Sequence, residues 1–360
     1  MPLTIENLIA QAREGRGLSS DEAAFFIDHA SCDQWQGAFR IAKLLTASRF
    51  QQRLHFFAPL YFSSFCVNDC TYCGFQAGNR LLKRKVLTED EFLQEARFLW
   101  NEGHRTLLLI AGEHPLYSGV GQIASYVAAL RRAGLDFSLI VEVGPLSLED
   151  YGILHELGIN HCLLFQETYH RETYTQVHRG RKRDFDWRLR AMERALSAGI
   201  EKVGVGILLG LGSWQFDLIR LIDYAYKIKE EFGSFPATFS FPRMRPANGT
   251  ALFQNNAVSD GDFQKILAIS RLTCPTVGLV LTTRESPDFR RKLLERGLGI
   301  THISAGSSTT PGGYTLKSKS GDDGQFELAD HRPLLKVVNE VLKLGYQPVM
   351  SSSLQRELRV

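Results

Sequence analysis

Along this chain, short apolar runs alternate with longer stretches whose apolar residues recur at helical spacing. The runs fall at Phe56 to Phe62, Thr106 to Ala111, Phe137 to Val143, Cys162 to Phe165, Val203 to Leu209, Thr238 to Phe241, Gly278 to Leu281 and Ile300 to Ser304, and they predict eight strands. The stretches between them predict helices, as over Glu89 to Asn101, where Thr88 and Glu91 have capping-box spacing and Gly103 follows the end. Strand–helix alternation repeated this often implies a parallel sheet. Eight repeats in this length favour a closed (β/α)8 barrel of the TIM type over an open doubly wound sheet. Before the barrel, Ala23 to Ile27 and Phe39 to Leu45 carry apolar residues at helical spacing and predict a helical arm. After it, Ser307 to Tyr314 and on to Gly324 reads as loop, and Pro333 to Leu344 as a final helix with Gly345 just past its end. The expected organisation is an N-terminal arm over 1–50, a barrel over 51–314 and a C-terminal cap over 315–360.

Composition changes this picture little. A chain of 360 residues, 44% hydrophobic, can bury a large core and fits either two ordinary domains or one α/β barrel with extensions. Its net charge of +3 is small, and basic residues are scattered among acidic ones, so neither a nucleic acid nor a membrane is expected as a partner. The start, Met1-Pro2-Leu3-Thr4-Ile5-Glu6, lacks the order of a signal peptide, and no apolar run approaches the ~20 residues of a membrane span. A cytoplasmic location is expected. Six cysteines, the outer three being Cys32, Cys162 and Cys274, do not suggest a disulfide framework.

The chemistry is concentrated in Cys66-Val67-Asn68-Asp69-Cys70-Thr71-Tyr72-Cys73. An iron–sulfur cube normally takes a thiolate on each of its irons, so three cysteines leave one iron open to a ligand that is not protein. Zinc wants four ligands, and no second Cys or His pair stands at finger-like spacing, although His55 and His114 could contribute. Simple burial of the three fits poorly with the polar Asn68, Asp69 and Thr71 between them. The motif also follows the first strand, at the C-terminal end where barrel active sites are built.

The spacing Cys66-x-x-x-Cys70-x-Tyr72-Cys73, with an aromatic before the last cysteine, resembles the radical S-adenosylmethionine enzymes. That resemblance implies a [4Fe-4S] cluster, S-adenosylmethionine chelated by the open iron through its amino and carboxylate groups, and a flavodoxin- or ferredoxin-type electron donor. It implies further cofactor contacts at Tyr72, at Gly112-Glu113 closing the second strand, at Glu167 for the ribose, and at Arg188 for the methionine carboxylate. Two of these have a plainer reading: a strand-end turn at Gly112-Glu113, a surface carboxylate at Glu167. Arg179, Arg181, Lys182, Arg183 and Arg190 are expected in solvent. Gly204 to Gly210 offers close approach to the adenine or simply reflects core geometry.

Longer strings narrow the resemblance. Ala58-Pro59-Leu60-Tyr61-Phe62-Ser63-Ser64, Gly112-Glu113-His114, Phe165 to His170, Asp186 to Leu189, Phe241 to Pro246 and Thr283 to Pro287 are similar to the aromatic amino-acid lyases. These include the tyrosine lyases of thiamine biosynthesis and of [FeFe]-hydrogenase maturation. The resemblance implies a 5′-deoxyadenosyl radical, cleavage of the Cα–Cβ bond of L-tyrosine, and p-cresol and 2-iminoacetate (dehydroglycine) as products. Arg284 is then expected to hold the amino-acid carboxylate, with Ser304 and Ser307 helping and Tyr61 lining the site, although Tyr61 could simply pack and either serine could cap a helix. The maturases carry a second cysteine-bound cluster in a C-terminal extension, whereas this chain has no cysteine after Cys274. Still, Ser304-Ala305-Gly306-Ser307 and Phe326 to Arg332 look closer to the maturases than to the thiamine enzymes. The expected activity is a tyrosine lyase for thiamine thiazole synthesis, with a thiazole synthase as partner. The alternatives are a related lyase acting on tryptophan or another amino acid, a maturase-like tyrosine lyase without the second cluster, and a non-catalytic scaffold with a structural metal.

Overall fold

A computed structural model describes residues 3–250, 256–316 and 324–350. Of the loop expected up to Gly324, residues 317–323 lie outside the described residues, as do 351–360 of the C-terminal segment.

The eight apolar runs become eight parallel strands: β1 (Arg53–Ser63), β2 (Thr106–Ala111), β3 (Ser138–Glu142), β4 (His161–Leu163), β5 (Lys202–Gly206), β6 (Thr238–Ser240), β7 (Gly278–Leu281) and β8 (Ile300–Ser304). They pair in chain order, and β1 pairs with both β2 and β8, which closes the barrel. Both faces of such a strand are covered, by the barrel interior and by helices. This is why β1 from Phe57 to Ser63 is buried throughout and reads as continuous apolar sequence. Strand β5 is shorter than expected: beyond Gly206 pairing continues only as the isolated bridges Glu167–Ile207 and Leu209–Arg243.

Three helices precede the barrel, α1 (Ile5–Arg13), α2 (Ser20–His29) and α3 (Cys32–Phe50). The connections then carry α4 (Glu89–Glu102), α5 (Val120–Arg132), α6 (Leu148–Glu156), α7 (Arg171–Val177), α8 (Phe185–Leu189), α9 (Ala191–Ser197), α10 (Trp214–Phe232), α11 (Asp260–Thr273) and α12 (Pro287–Arg296). Helix α4 starts with the expected capping box, Thr88 and Glu91 each bonding the other's backbone N–H, and ends at Gly103 with φ 105°. The arm is locked on through Arg271 of α11, fully buried, which donates to Thr46 Oγ1 on α3 and to the carbonyls of Pro275, Val277 and Gly299.

The final helix α13 (Leu334–Lys343) lies where its pattern predicts. A ninth strand, β9 (Gln347–Val349), then pairs in parallel with Arg53 to His55 at the start of β1, an addition that three residues including a proline do not announce.

Candidate active site

Cys66, Cys70 and Cys73 lie in the loop that leaves the C-terminal end of β1, and hydrogen bonds fix its shape in place of regular structure. Arg84 donates to the carbonyls of Ser64, Phe75 and Gln76 at 2.8, 3.0 and 2.5 Å, and the Asn79 amide donates to Gly74 O at 2.8 Å. The N–H groups of Asp69 and Thr71 dock the loop on Arg179 O and Val177 O, at the end of α7 and just beyond it. The Asn68 N–H donates to Cys66 Sγ at 3.4 Å, and Gln325 Nε2 stands 3.8 Å from Cys73 Sγ. All six cysteines are free thiols. Burial pushes the pKa of these three up, Cys70 to about 12, so their thiolates need a strong compensating charge of the kind iron supplies. Among the described residues no three His, Cys, Asp or Glu side chains could hold a single metal ion. A four-iron cube, which takes each thiolate on a different iron, asks for wider spacing, so the pinned loop with N–H donors at sulfur fits it better than zinc.

Gly112 follows the last residue of β2, directly under this loop. A Cβ there would stand 2.4 Å from Phe65 O and 3.0 Å from Cys66 Cβ, so only glycine lets the strand end so close to the first cysteine. Glu113 braces the same loop: its Oε2 accepts from Asn68 Nδ2 at 2.7 Å, and its carbonyl accepts from the Val67 N–H at 2.8 Å.

Glu167, after β4, is not a surface carboxylate. It has φ 72°, left-handed for a residue with a side chain, and backbone of that kind concentrates at functional sites. Its Oε1 lies 2.6 Å from Lys182 Nζ and 3.4 Å from an Arg188 nitrogen. Burial acts to raise its pKa, but Lys182 and Arg188 outweigh it and hold the carboxyl below its ordinary value. Arg188 also donates to Phe165 O at 2.8 Å. Tyr72 joins this network: Lys182, which can only donate, lies 3.2 Å from its hydroxyl, leaving the phenol proton for His178 Nε2 at 2.7 Å. Burial, then Lys182 and Arg188, push His178 down to about 2, so it accepts as a neutral ring.

Lys182 therefore corrects an expectation. Arg179, Arg181, Arg183 and Arg190 are exposed as expected, but the Lys182 side chain is only 12% exposed. The cause is the 3-10 turn Gly180–Arg183, held against the cluster loop by the Lys182 N–H donating to Asn68 Oδ1 at 2.8 Å, which turns this one cation inward. At Gly204 and Gly206 a Cβ would meet Leu163 Cδ2 at 2.1 Å and Ser240 O at 2.4 Å. These two glycines make room for neighbouring strands, which is the core-geometry reading.

Below the cluster loop a cavity runs down the barrel interior. Its upper wall includes Cys73, Tyr61, Glu142, Arg284, Ser304 and Ser307. Arg284 Cζ sits 3.4 Å from the centre of the Phe326 ring, and one guanidinium nitrogen donates to Arg243 O at 3.3 Å. Among the described residues it has no carboxylate partner, whereas Arg243 is taken by Glu285 and Asp260, and Lys182 and Arg188 by Glu167. Tyr61 donates to Gln325 Oε1 at 2.7 Å. Ser304 Oγ accepts from the Thr283 N–H at 3.1 Å, and the buried Ser307 Oγ has no partner among the described residues. Glu142, at the end of β3, escaped the sequence reading. Burial, then Glu167, push its carboxyl up to about 7, and it shares the cavity with Arg284. Gln325 and Phe326 were also missed. They belong to a segment hung across the mouth by the N–H groups of Glu327 on Pro246 O and of Ala329 and Asp330 on Thr283 O.

Residues 60–225 match the family model of the radical SAM superfamily, and residues 240–347 match that of the biotin and thiamin synthesis associated domain. The 2-iminoacetate synthase of Salmonella typhimurium is 35% identical over 95% of this chain and 89% of that protein. The chain belongs to the radical SAM superfamily. Its cofactors are accordingly a [4Fe-4S] cluster and S-adenosylmethionine. The Escherichia coli 2-iminoacetate synthase is 34% identical over the same shares. Among solved structures, HydG, a maturase of the [FeFe]-hydrogenase, superposes with a TM-score of 0.92 at 34% identity, covering 99% of this radical SAM chain and 78% of that one. Methylornithine synthase (PylB), at 22% identity and a TM-score of 0.73, shares the fold.

Proposed function

We propose that this protein is a tyrosine lyase, cleaving the Cα–Cβ bond of L-tyrosine to p-cresol and 2-iminoacetate. When bound, the cluster and S-adenosylmethionine supply a 5′-deoxyadenosyl radical that takes hydrogen from the amino acid. One observation carries the substrate side: Arg284 is a partly buried guanidinium without a carboxylate among the described residues, in the wall of a cavity that starts at Cys73. A guanidinium so held binds a carboxylate bidentately. Ser304 keeps its own hydroxyl proton to donate, and Ser307 adds a second free hydroxyl. Glu142 is the acidic group available to the amine. On the cofactor side, Glu167 takes the ribose hydroxyls, Gly112 and Glu113 shape the cluster loop, Tyr72 packs below it, and Arg188 faces the methionine carboxylate. Tyr61, Gln325 and Phe326 close the mouth against water.

In this reading the barrel of residues 51–314 does the chemistry, the arm of 1–50 braces it, and of the segment from 315 the stretch Gln325 to Asp330 covers its mouth while β9 extends the sheet at the other end. The likeness to 2-iminoacetate synthases supports a place in thiamine thiazole synthesis, with a thiazole synthase consuming the imine and a flavodoxin or ferredoxin supplying electrons. No helix among the described residues is long and apolar enough to cross a membrane, and a cytoplasmic location suits the free thiols.

Anaerobic incubation of reconstituted protein with S-adenosylmethionine, reductant and tyrosine tests the reading, and p-cresol is the expected product. Abundant 5′-deoxyadenosine without p-cresol would replace tyrosine by another amino acid. No 5′-deoxyadenosine from a fully loaded cluster would leave a scaffold.

A further inference from the structure

The cavity has two polar ends and an apolar middle. Its upper end carries Arg284, Glu142 and Ser304; its wall is then Phe57, Leu108, Ile140, Leu163 and Val280; its floor is His161, His302 and Thr238. The floor residue His161 opens β4, and the upper-wall residue Phe165 stands four residues on, two past the strand's end. That is ~13 Å of extended chain, tilted to the barrel axis and shortened by the inward reach of the side chains. An amino acid anchored by its carboxylate at Arg284 therefore lays its side chain through the apolar belt toward the histidines.

The two floor histidines differ. His302 Nδ1 is 2.9 Å from Thr301 Oγ1, and its ring stacks on His55 with centroids 4.9 Å apart. His161 has no hydrogen bond from either ring nitrogen among the described residues, and its Nε2 is fully buried without a partner. A buried polar atom left unpaired costs stability, and native structures rarely keep one without use.

We propose that His161 reads the para-hydroxyl of the substrate by a hydrogen bond at the floor of the barrel. The inference rests on the tyrosine reading above and names the group that makes the site prefer tyrosine over an amino acid lacking the hydroxyl. Burial, then Lys202, push the imidazole down to about 4, so near neutral pH it is uncharged, with one donor and one acceptor nitrogen. A phenol offers the complementary pair. Sites that hydrogen-bond a substrate hydroxyl reject the analogue without it far more strongly than apolar pockets do, because the protein group is then left unpaired.

The test compares dissociation constants of tyrosine and phenylalanine for the cluster-loaded protein with S-adenosylmethionine, in wild type, His161→Leu and His161→Gln. Wild type is expected to prefer tyrosine. His161→Leu should weaken tyrosine ~10- to 100-fold and leave phenylalanine unchanged, and His161→Gln, which still offers a donor and an acceptor, should restore much of the preference. Equal weakening of both amino acids by His161→Leu would make the residue structural and overturn the proposal. So would a wild type that binds the two equally. A wild type that makes p-cresol yet shows either result keeps the tyrosine reading and loses only this inference; one that makes none loses both.

Discussion

A guanidinium largely withdrawn from water without a carboxylate is costly, and Arg284, partly buried, is such a group, with only a carbonyl and an aromatic face for partners among the described residues. Burial lowers its pKa, so the site gives up stability to keep the cation ready. Replacing Arg284 with Lys retains the charge but removes the planar fork. The tyrosine KM should rise at least ~10-fold, the loss of one charge-assisted hydrogen bond, while slow tyrosine-independent formation of 5′-deoxyadenosine persists. Loss of both together would move Arg284 to the cofactor side. The places of Arg284 and the three cysteines at strand ends facing one cavity were legible, the cysteines from their spacing and Arg284 from the resemblance to the lyases. Lys182, Glu142 and His161 were not, because nothing in their neighbours along the chain says which way they face. Lys182 is turned inward by a short turn docked on Asn68, and Glu142 and His161 matter only once the barrel has closed around them.

At the scale of elements, the cluster loop is an irregular segment made rigid by what it rests on. Gly112 is the test of this, since any side chain there drives β2 into Phe65 and Cys66. Gly112→Ala should destabilise the protein by about 1–3 kcal/mol, as overpacking does, and lower the iron retained per chain after reconstitution. Gly121 in α5 is the matched control: a Cβ there meets nothing within 4 Å, so Gly121→Ala should leave iron content unchanged and raise the melting temperature slightly. Equal iron loss in both would detach Gly112 from the cluster. The elements themselves were legible where period and capping agree, as in α4, and where apolar runs are continuous, as in β2, β7 and β8. β9 and the segment over the mouth were not, since each is held by backbone hydrogen bonds to distant strands and loops, which any sequence can make.

Across the whole molecule, burial favours the neutral ring at five histidines. Burial, the largest cause for each, depresses His104 and His161 to about 4 and His178 to about 2, and it lowers His55 and His302 as well. For a group whose folded pKa lies below its unfolded value near 6.5, the unfolded chain binds more protons as the pH falls, so stability is full above 6.5 and is lost below it. At pH 5 the cost is about 2 kcal/mol for each of His104, His161 and His178. Glu142 acts in the opposite sense: its folded pKa of about 7 makes the folded chain the better proton binder between its ordinary value and 7, so stability falls as pH rises through that window. It offsets about one histidine. Denaturant unfolding of the cluster-free chain should therefore show stability dropping steeply from pH 7 to pH 5. His104→Gln, outside the cavity lining and deprived of the titrating ring, should make that drop shallower by about 2 kcal/mol. A profile flat across this range, or one that His104→Gln leaves as steep, would mean that the rings take up protons without unfolding, through water reaching the barrel floor from the basin that His55, His161 and His302 also line on its N-terminal side.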